Sequence, residues 1–198
     1  KEYTRDKKAA RCKIFKSHGQ GPWVIKPASC GSSVGVSIIS DPRDIDGGLS
    51  RAFDFGGYAL VEEYLGGREL TVPILEKRPG KPEALPIIEI RPRKGKFFDY
   101  HEKYSARGAE EIVPAPLPSG LAKKVAHAAL VAHQSLGCCG YSRVDCILVG
   151  GTPYILEVNT LPGLTSASLF PKSAKKAGIA FSQLLDILIY DARRENLN

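Results

Sequence analysis

Two runs of strand-forming residues, Ser142 to Val149 and Pro153 to Val158, meet across Gly150-Gly151, the strongest hairpin signal in the chain. Side chains alternate along a strand, so Arg143 and Asp145 share one face of the first run, and Glu157 and Asn159 one face of the second. A three-residue loop, Gly150 to Thr152, would set Asp145 opposite Glu157 and Arg143 opposite Asn159. A two-residue loop would break that alignment unless a bulge intervenes. The chemistry favours the three-residue register: Asp, Glu and Asn present the oxygen ligands that Mg²⁺ takes, with water and substrate phosphates completing its shell. Without a cation or Arg143 the carboxylates would repel. Two ordinary exposed strand faces are the plain alternative.

Upstream, Pro22 to Pro27 and Val34 to Ile39 read as strands separated by a Gly/Ser loop. Tyr58 to Leu65, Glu69 to Leu75 and Leu85 to Ile90 read as further strands, and so many in succession imply an antiparallel sheet. The polar stretch Arg91 to Gly120 is too long for an ordinary connection and is expected to be functional or disordered. Ser119 is positioned to cap a helix with apolar residues at Leu121, Val125, Ala128, Ala132 and Leu136, ended by Gly137. His127 and His133 on that helix read as structural. Ser182 to Arg194 reads as an amphipathic closing helix.

The loop Ser29-Cys-Gly-Ser-Ser-Val-Gly35 offers successive backbone N–H donors, two glycines and the hydroxyls of Ser29, Ser32 and Ser33, all suited to phosphate oxygens. A strand follows it rather than a helix, so it is neither a P-loop nor a Rossmann turn. It reads as a cover over a nucleotide, against the plainer reading of a hairpin turn. Lys26, flanked by Val24, Ile25 and Pro27, would bury its charge unless an anion compensates. Glu62-Glu-Tyr-Leu-Gly-Gly-Arg-Glu69 puts a carboxylate on each side of a glycine loop, which suits adenine edges and ribose hydroxyls as well as surface salt bridges. In Glu102-Lys-Tyr-Ser105 a lysine could reach a γ-phosphate, and the surrounding positive charges suggest a lid that closes over it.

Composition narrows the class. The 198 residues are 43% hydrophobic and 25% charged, enough for one core or two small lobes sharing a cleft. No apolar run approaches the ~20 residues of a membrane helix. The net charge is +7, with seven Lys/Arg against two acids in Lys1 to Lys16, and no interleaved aromatics accompany that arm, so it reads as a solvated helix face and not as a nucleic-acid tether. The five cysteines show neither C-x-x-C nor Cys/His ligand spacing and are expected to be reduced thiols in a cytoplasm. There is no methionine and no apolar leader, so the numbering is expected to start inside a longer protein.

In this order the segments resemble ATP-grasp enzymes, and within them the D-alanine:D-alanine ligase family. The resemblance rests on Val24 to Val36, Val61 to Glu69, Asp99 to Tyr104, Gly140 to Asp145 and Leu156 to Ser166, the Gly-Ser-Ser-Val-Gly-Val loop and the Glu-x-Asn-Thr-x-Pro-Gly-x-Thr-Ser run being the most specific. It implies an α+β ATP-grasp fold, two lobes with antiparallel sheets and helices enclosing a nucleotide cleft. The expected divisions are a basic segment 1–20, part of a central ATP-binding lobe 21–75, and a C-terminal catalytic lobe 76–198. By the same resemblance Lys26 contacts the α/β-phosphates, Ser33 belongs to the nucleotide site, and Glu62, the main chain of Glu63 and Leu65, and Glu69 hold adenine and ribose. Lys103 would meet the γ-phosphate. Asp145, Glu157 and Asn159 would ligate two Mg²⁺ ions, for which Mn²⁺ is a substitute. Arg143 and the Gly163 N–H would stabilise the tetrahedral intermediate, Ser168 would hold the carboxylate of the second D-alanine, and Ser32 and Tyr104 would close the lid.

The implied activity is ligation of two D-alanines through a D-alanyl phosphate, with ATP and D-alanine as substrates, in cytoplasmic peptidoglycan precursor synthesis. The family's N-terminal domain is not represented, and a homodimer is compatible with the resemblance. The alternatives are a ligase for another D-amino or hydroxy acid acceptor, and a nucleotide-binding module without turnover.

Overall fold

The computed structural model describes residues 3, 6–31, 33–78, 80–91 and 109–195, which fall into two compact units: the part up to Leu65, and Gly66 to Arg91 together with Ala109 onward. The expected boundary at 75 is corrected by this division. It would cut strand β4 (Arg68–Arg78), whose eleven residues pair along their whole length with the second unit's sheet.

In the first unit, strands β1 (Trp23–Pro27), β2 (Ser37–Ile39) and β3 (Ala59–Glu63) form an antiparallel sheet in the order β2-β1-β3. Helices α1 (Lys7–His18) and α2 (Ile45–Phe53) complete its core, in which Ile14, Trp23, Ile25, Ile45 and Leu49 are buried. The segment expected as a separate basic arm is therefore part of this unit. Asp6 caps α1 by accepting from Ala9 N at 2.9 Å, Arg11 pairs with Asp46 of α2 at 3.0 Å, and Phe15 meets Trp23 edge-on at 5.6 Å. Lys7, Lys8, Lys13 and Lys16 of α1 stay exposed.

The second unit is built on β4, β5 (Lys81–Ala84), β6 (Ile88–Arg91), β7 (Glu110–Ile112), β8 (Tyr141–Val149) and β9 (Thr152–Asn159), all antiparallel, in the order β7-β6-β4-β8-β9 with β5 beside β4. One side is covered by helix α3 (Ser119–Ser135), which packs Val125 and Ala129 against Leu70, Val72, Val144 and Cys146. A second cluster, Leu75, Leu85, Phe170, Ala174 and Leu184, brings in α4 (Leu169–Lys176) and α5 (Phe181–Glu195). Pro73 interrupts β4 without loss. Its carbonyl accepts from Leu85 N at 2.8 Å, so its nitrogen faces the gap where β4 exchanges β6 for β5 as neighbour, and no β4–β8 bond is removed.

Several expected elements shift. The run Val34 to Ile39 is a turn over 33–35 followed by a short strand, because Ser33 and Gly35 take left-handed backbone at φ 60 and φ 70. Pro118, not Ser119, is the N-cap of α3, and no side chain closes that end. The long stretch after Arg91 contains β7, while its residues 92–108 lie outside the described residues. His133 is fully buried with Nδ1 2.7 Å from Ser142 Oγ, a core contact tying α3 to β8, and His127 is exposed. All five cysteines are free thiols. Among the described residues no helix is long and apolar enough to cross a membrane.

One buried charge ties β6 to β4. Glu89 of β6, 4% exposed, accepts both arms of the Arg68 guanidinium at 2.8 Å and a third bond from Arg91 at 2.9 Å. The Arg68 hydrogen bond is the largest cause holding its carboxyl below the usual range. A depressed carboxyl contributes stability that is present above its unfolded pKa and lost as pH falls through the folded one. Glu89→Gln is therefore expected to cost about 2–3 kcal/mol at neutral pH, the scale of charge-assisted bonds. Urea midpoints should show this gap between variant and parent closing as pH drops below the carboxylate range.

Candidate functional site

The β8–β9 hairpin carries the acidic set, and its register is the informative detail. Val149 pairs with Thr152 across a two-residue turn in which Gly150 and Gly151 both take positive φ, as a tight hairpin turn requires. The expectation of a three-residue loop is thus corrected. Pairing runs through Cys146↔Ile155, then Leu156 is left over and the next partners are Asp145↔Glu157 and Arg143↔Asn159. That β-bulge restores the alignment the short turn would have destroyed. Unbulged, Glu157 and Asn159 would have sat on the opposite face from Arg143 and Asp145.

On β8 the residues Ser142, Val144, Cys146 and Leu148 point into the core, leaving Arg143 and Asp145 on the other face, 20% and 15% exposed. Arg143 grips Asp145 with both arms, Nε to Oδ1 at 3.0 Å and Nη2 to Oδ2 at 2.8 Å. Asn159 Nδ2 donates to Asp145 Oδ2 at 3.1 Å and to Glu157 Oε1 at 3.3 Å. A residue that sequence patterning does not reveal completes the set: Thr71 of β4, directly across from Asp145, donates its hydroxyl to Oδ1. Nothing local singles out Thr71; only the β4–β8 pairing brings it there. Two positions earlier, half-buried Glu69 lies on the same face of β4, opposite Ile147 and Ile90.

Among the described residues no three Asp, Glu, His or Cys side chains gather, so the donor set is two carboxylates and one amide. That set fits a hard cation such as Mg²⁺, which keeps several waters and asks for few protein oxygens. Asn159 now turns its NH₂ group to the carboxylates, and ligation through its Oδ1 needs a half-turn of the amide. Cys146, on the core side, is no ligand. Burial first, then the negative charges of Asp145 and Glu69, push its thiol up to about 12.

Gly163 and Ser168 sit together after β9. Ser168 precedes α4, accepts from Thr165 N at 3.1 Å and lies 2.8 Å from Thr165 Oγ1. A Cβ on Gly163 would come within 2.9 Å of Ser168 Oγ, so the glycine keeps this turn closed down on the hydroxyl. Polar N–H groups at the start of α4 and this hydroxyl suit a carboxylate.

In the first unit, Lys26 and Glu62 lie on the same sheet face and pair at 2.6 Å, Lys26 being 25% exposed. Lys26 is only partly buried, because β1 alternates, burying Trp23 and Ile25 and leaving Val24 and Lys26 on the half-open face. The anion that compensates it here is the Glu62 carboxylate. Glu63 is exposed and Leu65 half-buried beyond β3. Ser33 lies in a turn within the Gly/Ser segment, where Val34 N bonds Gly31 O at 3.2 Å. Gly35 is pressed on Pro27 and Phe55, with no room for a Cβ, which would stand 2.7 Å from Phe55. Ser32, Lys103 and Tyr104 lie outside the described residues.

Comparison with known proteins identifies the family. Residues 1–190 match the family model described as D-ala D-ala ligase C-terminus. The D-alanine–D-alanine ligase of Maridesulfovibrio salexigens is 44% identical over 175 residues, 88% of this chain and 56% of that protein. The crystal structure of the D-alanine–D-alanine ligase from Bacillus anthracis superposes with a TM-score of 0.78 at 40% identity, covering 92% of this chain and 57% of that one. Its complex with ATP gives 0.74 at 39% identity, with 92% and 56% covered. VanG D-Ala:D-Ser ligase from Enterococcus faecalis gives 0.77 at 33% identity, covering 91% and 52%. The chain spans a little over half the length of the curated relatives it matches. With antiparallel sheets, packed helices and these motifs in order, the chain belongs to the D-ala D-ala ligase C-terminus family and has the ATP-grasp fold.

Proposed function

We propose that this chain provides the nucleotide-binding and acidic catalytic parts of an ATP-dependent D-alanine:D-alanine ligase. ATP phosphorylates the carboxylate of one D-alanine, and the amine of a second attacks the acyl phosphate, releasing phosphate and forming the dipeptide. The observation that carries the reading is the bulge-restored cluster of Arg143, Asp145, Glu157 and Asn159 in a member of this family. Clustered carboxylates beside a guanidinium match a reaction that moves a phosphoryl group, whose charge must be neutralised and whose partners must be held in line.

In this proposal Lys26 holds the α/β-phosphates, giving up part of its contact with Glu62, which turns to the ribose. Ser33 supports the same phosphates, the main chain at Glu63 and Leu65 meets adenine, and Glu69 completes the ribose contacts. Asp145, Glu157 and Asn159 hold two Mg²⁺ ions, which supply charge neutralisation on the phosphates. Arg143 and the Gly163 N–H donate to the oxyanion that develops as the amine attacks. Ser168, at the start of α4, receives the carboxylate of the second D-alanine. Lys103, Ser32 and Tyr104 would act at the γ-phosphate and the lid. A cytoplasmic role in peptidoglycan precursor synthesis accompanies this activity.

The match to a D-Ala:D-Ser ligase makes the acceptor the part to test. In a ligase that contains this chain at the full length of its relatives, MgATP and D-alanine alone are expected to give phosphate release accompanied by a D-alanyl-D-alanine mass, and no faster release when D-serine or D-lactate is added as acceptor. Tight MgATP binding without D-alanine-dependent phosphate release would overturn the ligase reading and leave a nucleotide-binding module. Preferential formation of the mixed product would reassign the acceptor.

A further inference from the structure

Resting on the metal reading above, we infer that Thr71 is a positioning residue: its hydroxyl holds Asp145 so that one chosen carboxylate oxygen, Oδ2, is the one offered to a divalent cation. The argument starts from the lone pairs. Oδ1 of Asp145 accepts from Thr71 Oγ1 and Arg143 Nε, and Oδ2 accepts from Arg143 Nη2 and Asn159 Nδ2. A carboxylate has about four acceptor sites, so this one is saturated. A cation can bind Asp145 only where a donor leaves.

The donors differ in how readily they leave. Thr71 is 2% exposed, sits on a central strand directly opposite Asp145, and carries a β-branched side chain with little freedom at χ1. Arg143 is held by two parallel bonds. Asn159 makes the longest contact, 3.1 Å, through a terminal amide whose torsion is broad. Turning that amide vacates a lone pair on Asp145 Oδ2 and another on Glu157 Oε1, and presents Asn159 Oδ1 as a third oxygen. The NH₂ group bridging the two carboxylates therefore stands in for the cation. This works only while Oδ1 is pinned on the far side, and Thr71 is the pin that comes from outside the hairpin.

The test uses Thr71→Val, which keeps the branched shape and strand preference but removes the hydroxyl, with Thr71→Ala as a second hydroxyl-less variant and Thr71→Ser restoring it. Mn²⁺ binding is read by electron paramagnetic resonance of the free ion with ADP present, independent of turnover, and urea midpoints confirm folding. We expect Thr71→Val and Thr71→Ala to weaken Mn²⁺ binding by about 10-fold or more, the range for residues that orient a ligand, and Thr71→Ser to stay near the parent. Undiminished affinity in a folded hydroxyl-less variant, or equal loss in Thr71→Ser, overturns the inference while the metal reading stands. A parent chain that binds no Mn²⁺ overturns the metal reading and the inference with it.

Discussion

Replacing Arg143 with alanine in a complete enzyme is expected to lower kcat by about 10²-fold or more, the range for losing a preorganised oxyanion donor, while ATP affinity changes far less. The geometry explains the split. Arg143 lies on β8 opposite Asn159, mostly buried, with its guanidinium plane set by the bidentate grip on Asp145. Such a group needs no reorganisation when charge develops on the reacting carbonyl. Its removal also takes two of the four donors from Asp145, leaving that carboxylate less neutralised. Cation affinity should then hold or rise as kcat falls. Steady-state kinetics beside MgATP binding would check this, and equal losses in ATP affinity and kcat would make Arg143 a ground-state phosphate ligand.

Glu157→Gln is expected to weaken Mg²⁺-dependent ATP binding by at least about tenfold, since losing a ligand should cost no less than losing one of the residues that orient it, ~10–100-fold. The substitution removes one negative charge at nearly constant volume. Glu157 is exposed on the edge strand β9, and its carboxylate accepts from the Asn159 amide at 3.3 Å, a contact the glutamine oxygen can keep, so folding stability should change little. Calorimetric titration of ATP at several Mg²⁺ concentrations reads the effect directly. An unchanged Mg²⁺ dependence would remove Glu157 from the ligand set, and a large drop in the urea midpoint would assign it a structural part instead.

Much of the candidate site is legible in the amino-acid sequence because its logic is local. Alternation along Ser142 to Val149 is enough to put Arg143 and Asp145 together, away from Val144 and Cys146. The Gly150-Gly151 pair announces the hairpin, and the spacing from Leu121 onward announces α3. Helix α2 escapes such a reading, its two central glycines hiding a nine-residue helix that buries Leu49 and Ala52. Helix α4 escapes it because eight residues show barely two turns of pattern.

What the sequence by itself determined is the set of residue types, their faces and their order: a metal-suited acid set, a Gly/Ser turn, and a lysine and glutamate on neighbouring strands. Tertiary structure decided the rest, because register, counterions and division into units depend on which strands pair. The bulge at Leu156 trades one residue of pairing for an aligned Asp145 and Glu157, a choice invisible to alternation alone. Thr71 meets Asp145 across 74 residues of chain, Glu62 neutralises Lys26 across an adjacent strand, and β4 joins the second unit as a whole. Each of these is a long-range pairing whose free energy comes from burying one face of a sheet, and no local window of sequence contains both partners.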